Sequence, residues 1–571
     1  MAAIWTWPLA GQLGSALPFD AGFVPPAGSD THIWVWDFWW VKEALTSGQS
    51  PFHSDAIFPP RGAGLGLHTH AILYGFLALP LTAAFGAVFS VGVAILVLFA
   101  TAFAAMWALA RALGASRPAA GIAAFGWAFA PYFLQKGLEH MNLMASPWPP
   151  LLCLFLLRWM GTGKVRPALG AGCVVGLTAL AGPLVFAQTV IFGMMICVFA
   201  PGEGLRRREL LRPWPLAIGG LVGGLLASPA LVEIRRELLS AERFAARIGD
   251  LGRGGLPGGD SSSFVAREVL ARPSLTEFLR LPHLHPLSGG GLVGVPGGNE
   301  IAALHISGAL LALALAALLL AAPGKRRARA MWAGFAALCV FLAWDPALPM
   351  GHPSELYRRL PLMDGLRVPA RFLPYGLLPL AILAAFGADE LLAKLGRRNA
   401  GGVVGLMGAL LVFESWSISF PLMDTEPPPA IAPLASDTPP EAAGRILTLP
   451  ARFGASEAMT WQTQHGRGVV LSYLARIDPW VVRGLEETAP DLFQILVPQL
   501  AADGSFRIPR SEGLALDLEH LGVRTVLVDR RAFGSAGSLY EMLSNLLDEM
   551  PRWQNLGGDG EFGLWGTLAA R

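Results

Sequence analysis

The chain has 571 residues, 53% of them hydrophobic and only 15% charged, with a net charge of +2 and a mean hydropathy of +0.49. A water-soluble protein of this length needs more charge to cover its surface, so a soluble globular class is excluded. No basic stripe or nucleic-acid motif stands out, which sets nucleic acid aside as a partner. Cys153, Cys173, Cys197 and Cys339 all lie inside apolar segments and offer neither a disulfide staple nor a zinc spacing.

In chain order, Ala3–Leu17 reads as the last turns of a spanning helix, and Met1–Leu17 lacks the basic residues of a cleavable signal. A segment rich in tryptophan follows, and then His68–Gly86, apolar enough to suggest a span. Beyond it, about ten stretches are long and apolar enough to cross a bilayer: 88–112, 117–133, 142–160, 167–182, 184–200, 214–233, 301–322, 328–345, 373–393 and 401–420. Basic clusters around Arg111, Arg158, Arg206, Lys325 and Lys394 fall at every second connection, and Lys and Arg are retained on the cytoplasmic side. Counting His68–Gly86 as a span would turn all five clusters outward. It is therefore placed as a helix on the outer leaflet, with Pro80 near its end.

The fold class that follows is an α-helical polytopic membrane protein of about eleven spans with a small C-terminal α/β soluble domain. Residues 1–420 form the transmembrane domain, with outer loops 18–87, 134–141, 234–300 and 346–372. Residues 421–440 form a Pro-rich linker and 441–571 an extracytoplasmic domain. In that domain Arg445–Pro450 and Val523–Asp529 read as buried strands, Ser538–Glu549 as an amphipathic helix and Trp553–Thr567 as a hairpin. The expected location is the inner (cytoplasmic) membrane, with the bilayer itself as a partner.

Chemistry is sought on the outer side. In SDTHIWVWDFWWVKEAL, Asp30 and Asp37 stand seven apart, almost two helical turns, so they share a helix face. Trp34, Trp36, Trp39 and Trp40 suit the membrane–water boundary and place this helix along the outer surface. The two carboxylates suit a general base or a divalent metal such as Mg or Mn; a polar helix face with Asp30 as N-cap is the alternative. Glu139, His140 and Asn142 stand at the mouth of two helices, as site residues or as helix ends. His68 with His70, and His283 with His285, form HxH pairs too few for a metal and read as polar surface. Arg367 and Arg371 on the outer side suit bidentate binding of a phosphate, or snorkelling to lipid headgroups.

Taken in order, TWPLAG, the D-x6-D segment followed by WW, PF-x5-FPP, the histidine before LPL…FG, LARALG, AFAPY, EHMNL…PWPPL, HPLSG, Glu300 before a helix, R-x-P-x-R-F and WQTQHG…LSYLAR resemble the GT-C type membrane proteins described as bacterial and archaeal glycosyltransferases. The resemblance implies transfer of a sugar from a polyprenyl-phosphate-linked donor to a glycan, lipid or protein acceptor on the outer face. It implies Asp30 or Asp37 as the catalytic group, Arg367 and Arg371 at the donor phosphate, and His68, Glu139, His140, Asn142 and Glu300 lining the cavity. A non-catalytic polyprenyl-glycan binding or cell-envelope assembly factor is the rival reading. A transporter fits less well, because no internal repeat is visible and Asp345, Asp389 and Glu414 sit at helix ends.

Overall fold

The computed structural model describes residues 1–20, 29–68, 71–144, 146–199, 214–251, 272–282, 284–288, 303–359, 366, 368–416, 420–431, 434, 443–449, 456–472, 479–496, 509–533, 537–559 and 561–567. Arg367, Glu300, His70, His283 and much of the proline-rich linker lie outside the described residues.

The protein is mostly helical. Four helical stretches among the described residues are long and apolar enough to cross a bilayer: Ile72–Ala112, Met141–Thr162, Trp214–Ser240 and Pro369–Lys394. Val165–Ala181, Pro183–Phe199, Gly308–Leu319 and Gly401–Glu414 are apolar but shorter. Leu77, Val97, Trp107, Met194, Leu221, Leu319 and Leu406 stand exposed on these helices, as lipid-facing side chains do. Helix Ile72–Ala112 has one non-helical residue, Gly86 (φ 84°, ψ 169°). A side chain there would strain the backbone, and this is the point where the sequence separates a surface helix from a span.

The expected span 117–133 is not one continuous helix. The stretch 117–133 divides into helices Arg117–Ala128 and Pro131–Glu139. Pro131 has no N–H to continue the first helix, and it forces Ala130 into an extended conformation (ψ 139°). The expected loop 134–141 is for the most part the second of these helices. The N-terminal stretch holds the single turn Ala2–Trp5, a 3-10 turn at Leu9–Gly11 and the start of a short strand, Ala16–Pro18.

The chain divides into two compact units, residues 1–24, 91–230 and 265–423 in the first, and 25–90, 231–264 and 424–571 in the second. In the first, helices meet through glycine. A methyl on Gly172 would overlap the Gly219 carbonyl, and one on Gly223 would lie 2.5 Å from the Gly172 carbonyl, so helices Val165–Ala181 and Trp214–Leu251 touch backbone to backbone there. Gly387 does the same against Leu313. The charges that the sequence places at helix ends close connections. Glu414 accepts the Gly308 N–H at 3.0 Å, Asp389 accepts the Ser116 N–H at 2.8 Å, and Asp345 accepts the Ser354 N–H at 2.7 Å.

The second unit contains a four-stranded sheet, β1 (Arg445–Leu449), β2 (Val523–Asp529), β3 (Trp553–Gly558) and β4 (Phe562–Thr567), in the order β1-β2-β4-β3. β1 and β2 run parallel and the other pairs antiparallel. Val526, Leu527 and Val528 of the inner strand β2 are all buried, as expected where both faces are covered. Helix Gly537–Asp548 packs where the sequence predicts one.

Helix Thr31–Thr46 belongs to this unit and packs against helix Glu457–His465. Its tryptophans do not sit at a water boundary: Trp34 and Trp36 are at most 1% exposed, and Trp39 and Trp40 are buried too. Gln462 explains why an indole tolerates that burial. Its Oε1 accepts the Trp36 Nε1–H at 2.8 Å, and its Nε2 donates to the carbonyls of Ala56 (2.9 Å) and Arg467 (3.1 Å).

Candidate functional site

In the second unit the two aspartates of the acidic helix have different surroundings. Asp30 holds the N-cap position with helical dihedrals (φ −63°, ψ −15°) and makes no side-chain capping hydrogen bond. A capping residue takes extended dihedrals so that its oxygen can turn back onto the first turn. Asp30 is half-buried. Asp37 is fully buried. Its Oδ2 accepts the Ala71 N–H at 3.2 Å, and its Oδ1 lies 4.0 Å from Nε2 of the equally buried His68. Ala71 immediately precedes helix Ile72–Ala112, so this carboxylate sits at a helix N-terminus, where negative charge is favoured. His68 is therefore no surface residue.

The loop that carries His68 is gripped from one side. Glu237 accepts the N–H groups of Gly66 at 2.5 Å and Leu67 at 2.9 Å. A methyl on Gly64 would come within 2.5 Å of that carboxylate, and one on Gly66 within 2.8 Å of the backbone at Glu233 and Ile234. Both glycines are needed for so close an approach. Glu237 anchors this loop and was missed by sequence reasoning; its signal is the G-x-G ahead of His68.

In the first unit, every residue of helix Pro131–Glu139 is buried, including Lys136 (1% exposed) and Glu139 (2%). Glu139 Oε1 accepts the Asp20 N–H at 2.7 Å, and Gln135 Nε2 donates to the Asp20 carboxylate. The Lys136 ammonium lies 5.6 Å from the Tyr132 ring centroid, a cation–π contact. Two buried carboxylates and one buried ammonium thus share a short helix and its neighbour, and such groups persist only when compensated. Asp20 was also missed, since nothing in its local pattern marks it. His140 ends the helix half-buried, and Asn142 is 5% exposed in the turn Met141–Leu143.

Arg371 lies in the 3-10 turn Pro369–Phe372 and lines a small pocket with Tyr132, Gln188, Pro374 and Tyr375. Gln188 Nε2 donates to the Arg371 carbonyl at 3.2 Å, and the Tyr375 hydroxyl donates to Gln188 Oε1 at 3.4 Å. Helix Pro131–Glu139 therefore brings Tyr132 to the arginine pocket and Gln135 with Glu139 to Asp20, so the fold links these groups within one unit.

Other candidates separate. His285 is 2% exposed and structural: its Nδ1 accepts the Leu287 N–H at 3.1 Å, so its Nε2 donates to the Phe413 carbonyl at 3.0 Å. Among the described residues no three His, Cys, Asp or Glu side chains gather to hold a metal ion.

Residues 44–211, less than a third of the chain, match the family described as "Predicted membrane protein (DUF2079)". No curated protein matches. Among solved structures, the arabinofuranosyltransferase AftD from Mycobacteria superposes with a TM-score of 0.55 at 16% identity, covering 99% of this chain and 39% of that one. The chain thus spans about two fifths of AftD. ArnT from Cupriavidus metallidurans, solved bound to undecaprenyl phosphate, gives a TM-score of 0.47 at 13% identity, covering 100% and 97% of the two chains. AglB from Archaeoglobus fulgidus, solved with an inhibitory peptide and a dolichol-phosphate, gives 0.48 at 14%, covering 95% and 70%. At these identities the likeness concerns the fold alone: the chain is a membrane protein with several apolar helices whose structural neighbours are GT-C glycosyltransferases.

Proposed function

We propose that the protein is a membrane glycosyltransferase that moves a sugar from a polyprenyl-phosphate-linked donor to an acceptor on the outer face of the inner membrane. The observation that carries this reading is the fold shared with an arabinofuranosyltransferase, with the half-buried Asp30 at the head of the packed helix Thr31–Thr46. In this reading Asp30 takes the proton of an acceptor hydroxyl as that oxygen attacks the anomeric carbon of the donor. The carbon–oxygen bond to the lipid phosphate breaks, configuration inverts, and the lipid phosphate leaves with the negative charge. Arg371, with Arg367, is assigned to that charge, which a planar guanidinium meets with paired N–H donors. Asp37 and His68 act as positioning residues, since Asp37 is committed to the Ala71 N–H. The fold shared with an arabinofuranosyltransferase supports the reaction class.

The test is product formation in a strain that depends on the chain. Asp30→Asn removes the base while keeping size and polarity, and should lower transfer on the order of 10²–10⁴-fold at normal membrane levels. Wild-type product from Asp30→Asn would sink the assignment. A rival, non-catalytic glycan-binding or assembly role draws support from the packing of the acidic helix on Glu457–His465 through Gln462. It requires that Asp30→Asn retain function while Gln462→Ala loses it.

A further inference from the structure

The first unit holds a second cavity, away from Arg371 and Asp20, at the end of its helices where basic residues collect. It measures about 710 Å³ and opens between the ends of helices Ile72–Ala112, Trp148–Thr162, Pro323–Trp344 and Leu373–Lys394. That volume lies in the range of sites for lipid- or drug-sized ligands, about 300–1,000 Å³.

Its walls are of two kinds. Leu109, Leu154, Leu157, Trp332 and Phe386 form an apolar side. The charged residues differ in what already occupies them. Glu390 is paired with Arg329 at 2.7 Å, and Arg329 also donates to the Ala317 carbonyl at 2.7 Å and lies 5.5 Å from the centroid of the Phe386 ring. Asp389 is held by the Ser116 N–H. Arg158 and Lys325 remain, and among the described residues neither side chain has an ion pair or hydrogen bond. The cavity therefore presents two uncommitted cations beside a hydrocarbon-like wall.

A free inorganic anion satisfies the cations but leaves the apolar wall wet. An uncharged lipid covers the wall but leaves the cations without a counter-ion. We propose that this cavity binds a phosphate-headed lipid, its head group against Arg158 and Lys325 and its chain along Leu109, Leu154, Leu157, Trp332 and Phe386. Basic pockets between membrane helices bind anionic head groups by the same balance of charge and apolar contact. The site is independent of glycosyl transfer and asks nothing of Asp30, Asp37 or Arg371.

The full chain, purified in detergent and stripped of lipid, is titrated with dioleoyl phosphatidylglycerol and read by native mass spectrometry. Saturable binding of one lipid is expected. It weakens roughly tenfold or more when Arg158→Ala is combined with Lys325→Ala. The exposed pair Lys164→Ala with Arg166→Ala, which does not line the cavity, removes equal charge and should leave binding unchanged. Ala328→Trp fills the cavity with both cations in place and should also block binding, so a folding defect in one variant does not decide the result. Dioleoyl phosphatidylcholine, whose head group carries no net charge, should bind more weakly. Equal loss in both charge pairs, displacement by a large excess of inorganic phosphate, or no saturable binding would each overturn the proposal.

Discussion

In the first unit, the Asp20 and Glu139 carboxylates are held by a backbone N–H and Gln135, beside a lysine buried on the same short helix. In the second, Asp37 and Glu237 hold backbone N–H groups of one loop, at Gly66, Leu67 and Ala71. The difference concerns what each carboxylate secures. Around Asp20 two carboxylates and a lysine are buried together, and removing Glu139 leaves the buried Asp20 N–H without its acceptor. Around His68 the carboxylates fix the course of the chain, and an amide in place of Glu237 keeps one acceptor oxygen but turns a donor toward the second N–H.

The comparison breaks most sharply at Glu139. Glu139→Ala takes the acceptor from the buried Asp20 N–H. The expected cost is about 3 kcal/mol, the upper end for a buried donor left unsatisfied, read as a fall in the thermal midpoint of the purified protein. Gln462→Ala comes next. It strands the Trp36 indole N–H and the Arg467 carbonyl, while the Ala56 carbonyl keeps the Val469 N–H, for a loss of about 1–3 kcal/mol. Glu237→Gln should cost about 1–2 kcal/mol, since only one of the Gly66 and Leu67 N–H groups keeps an acceptor. A Glu237→Gln loss as large as that of Glu139→Ala would mean that the loop clamp also depends on charge.

These predictions concern contacts that the sequence hides. The apolar spans, the paired strands and the break at Gly86 are legible because each follows from local periodicity or from one glycine. The burial of Trp34 and Trp36 is not: a tryptophan-rich stretch reads alike whether it meets lipid headgroups or protein, and here the partner, Gln462, lies 426 residues from Trp36. Asp20 and Glu237 were missed for the same reason, with partners 119 and 171 residues away. Pro131 was visible, but the apolar residues around it masked the break it makes. For Asp30 and Asp37 the sequence supplies the shared helix but not the division of roles.

A smaller effect comes from pH. Burial, reinforced by Arg467, pushes His465 down to about 3 from an ordinary 6.5, so the folded protein keeps the ring neutral. Its Nδ1 accepts the Arg467 N–H at 3.1 Å. Below about pH 6.5 the unfolded chain takes up a proton that the folded chain refuses, and stability falls with pH toward about 3. Above pH 6.5 both states are neutral and His465 adds no slope. The thermal midpoint should therefore drop between pH 7.5 and 5, and His465→Gln should flatten that drop.

The most direct test of glycosyl transfer uses the purified protein in a bilayer disc with a radiolabelled polyprenyl-phosphate sugar and a mixture of envelope glycans as acceptors. The account predicts label moving from lipid to acceptor in the wild type, loss of transfer in Asp30→Asn with donor still bound, and a smaller loss in Asp37→Asn. Transfer by Asp30→Asn at the wild-type rate would contradict it.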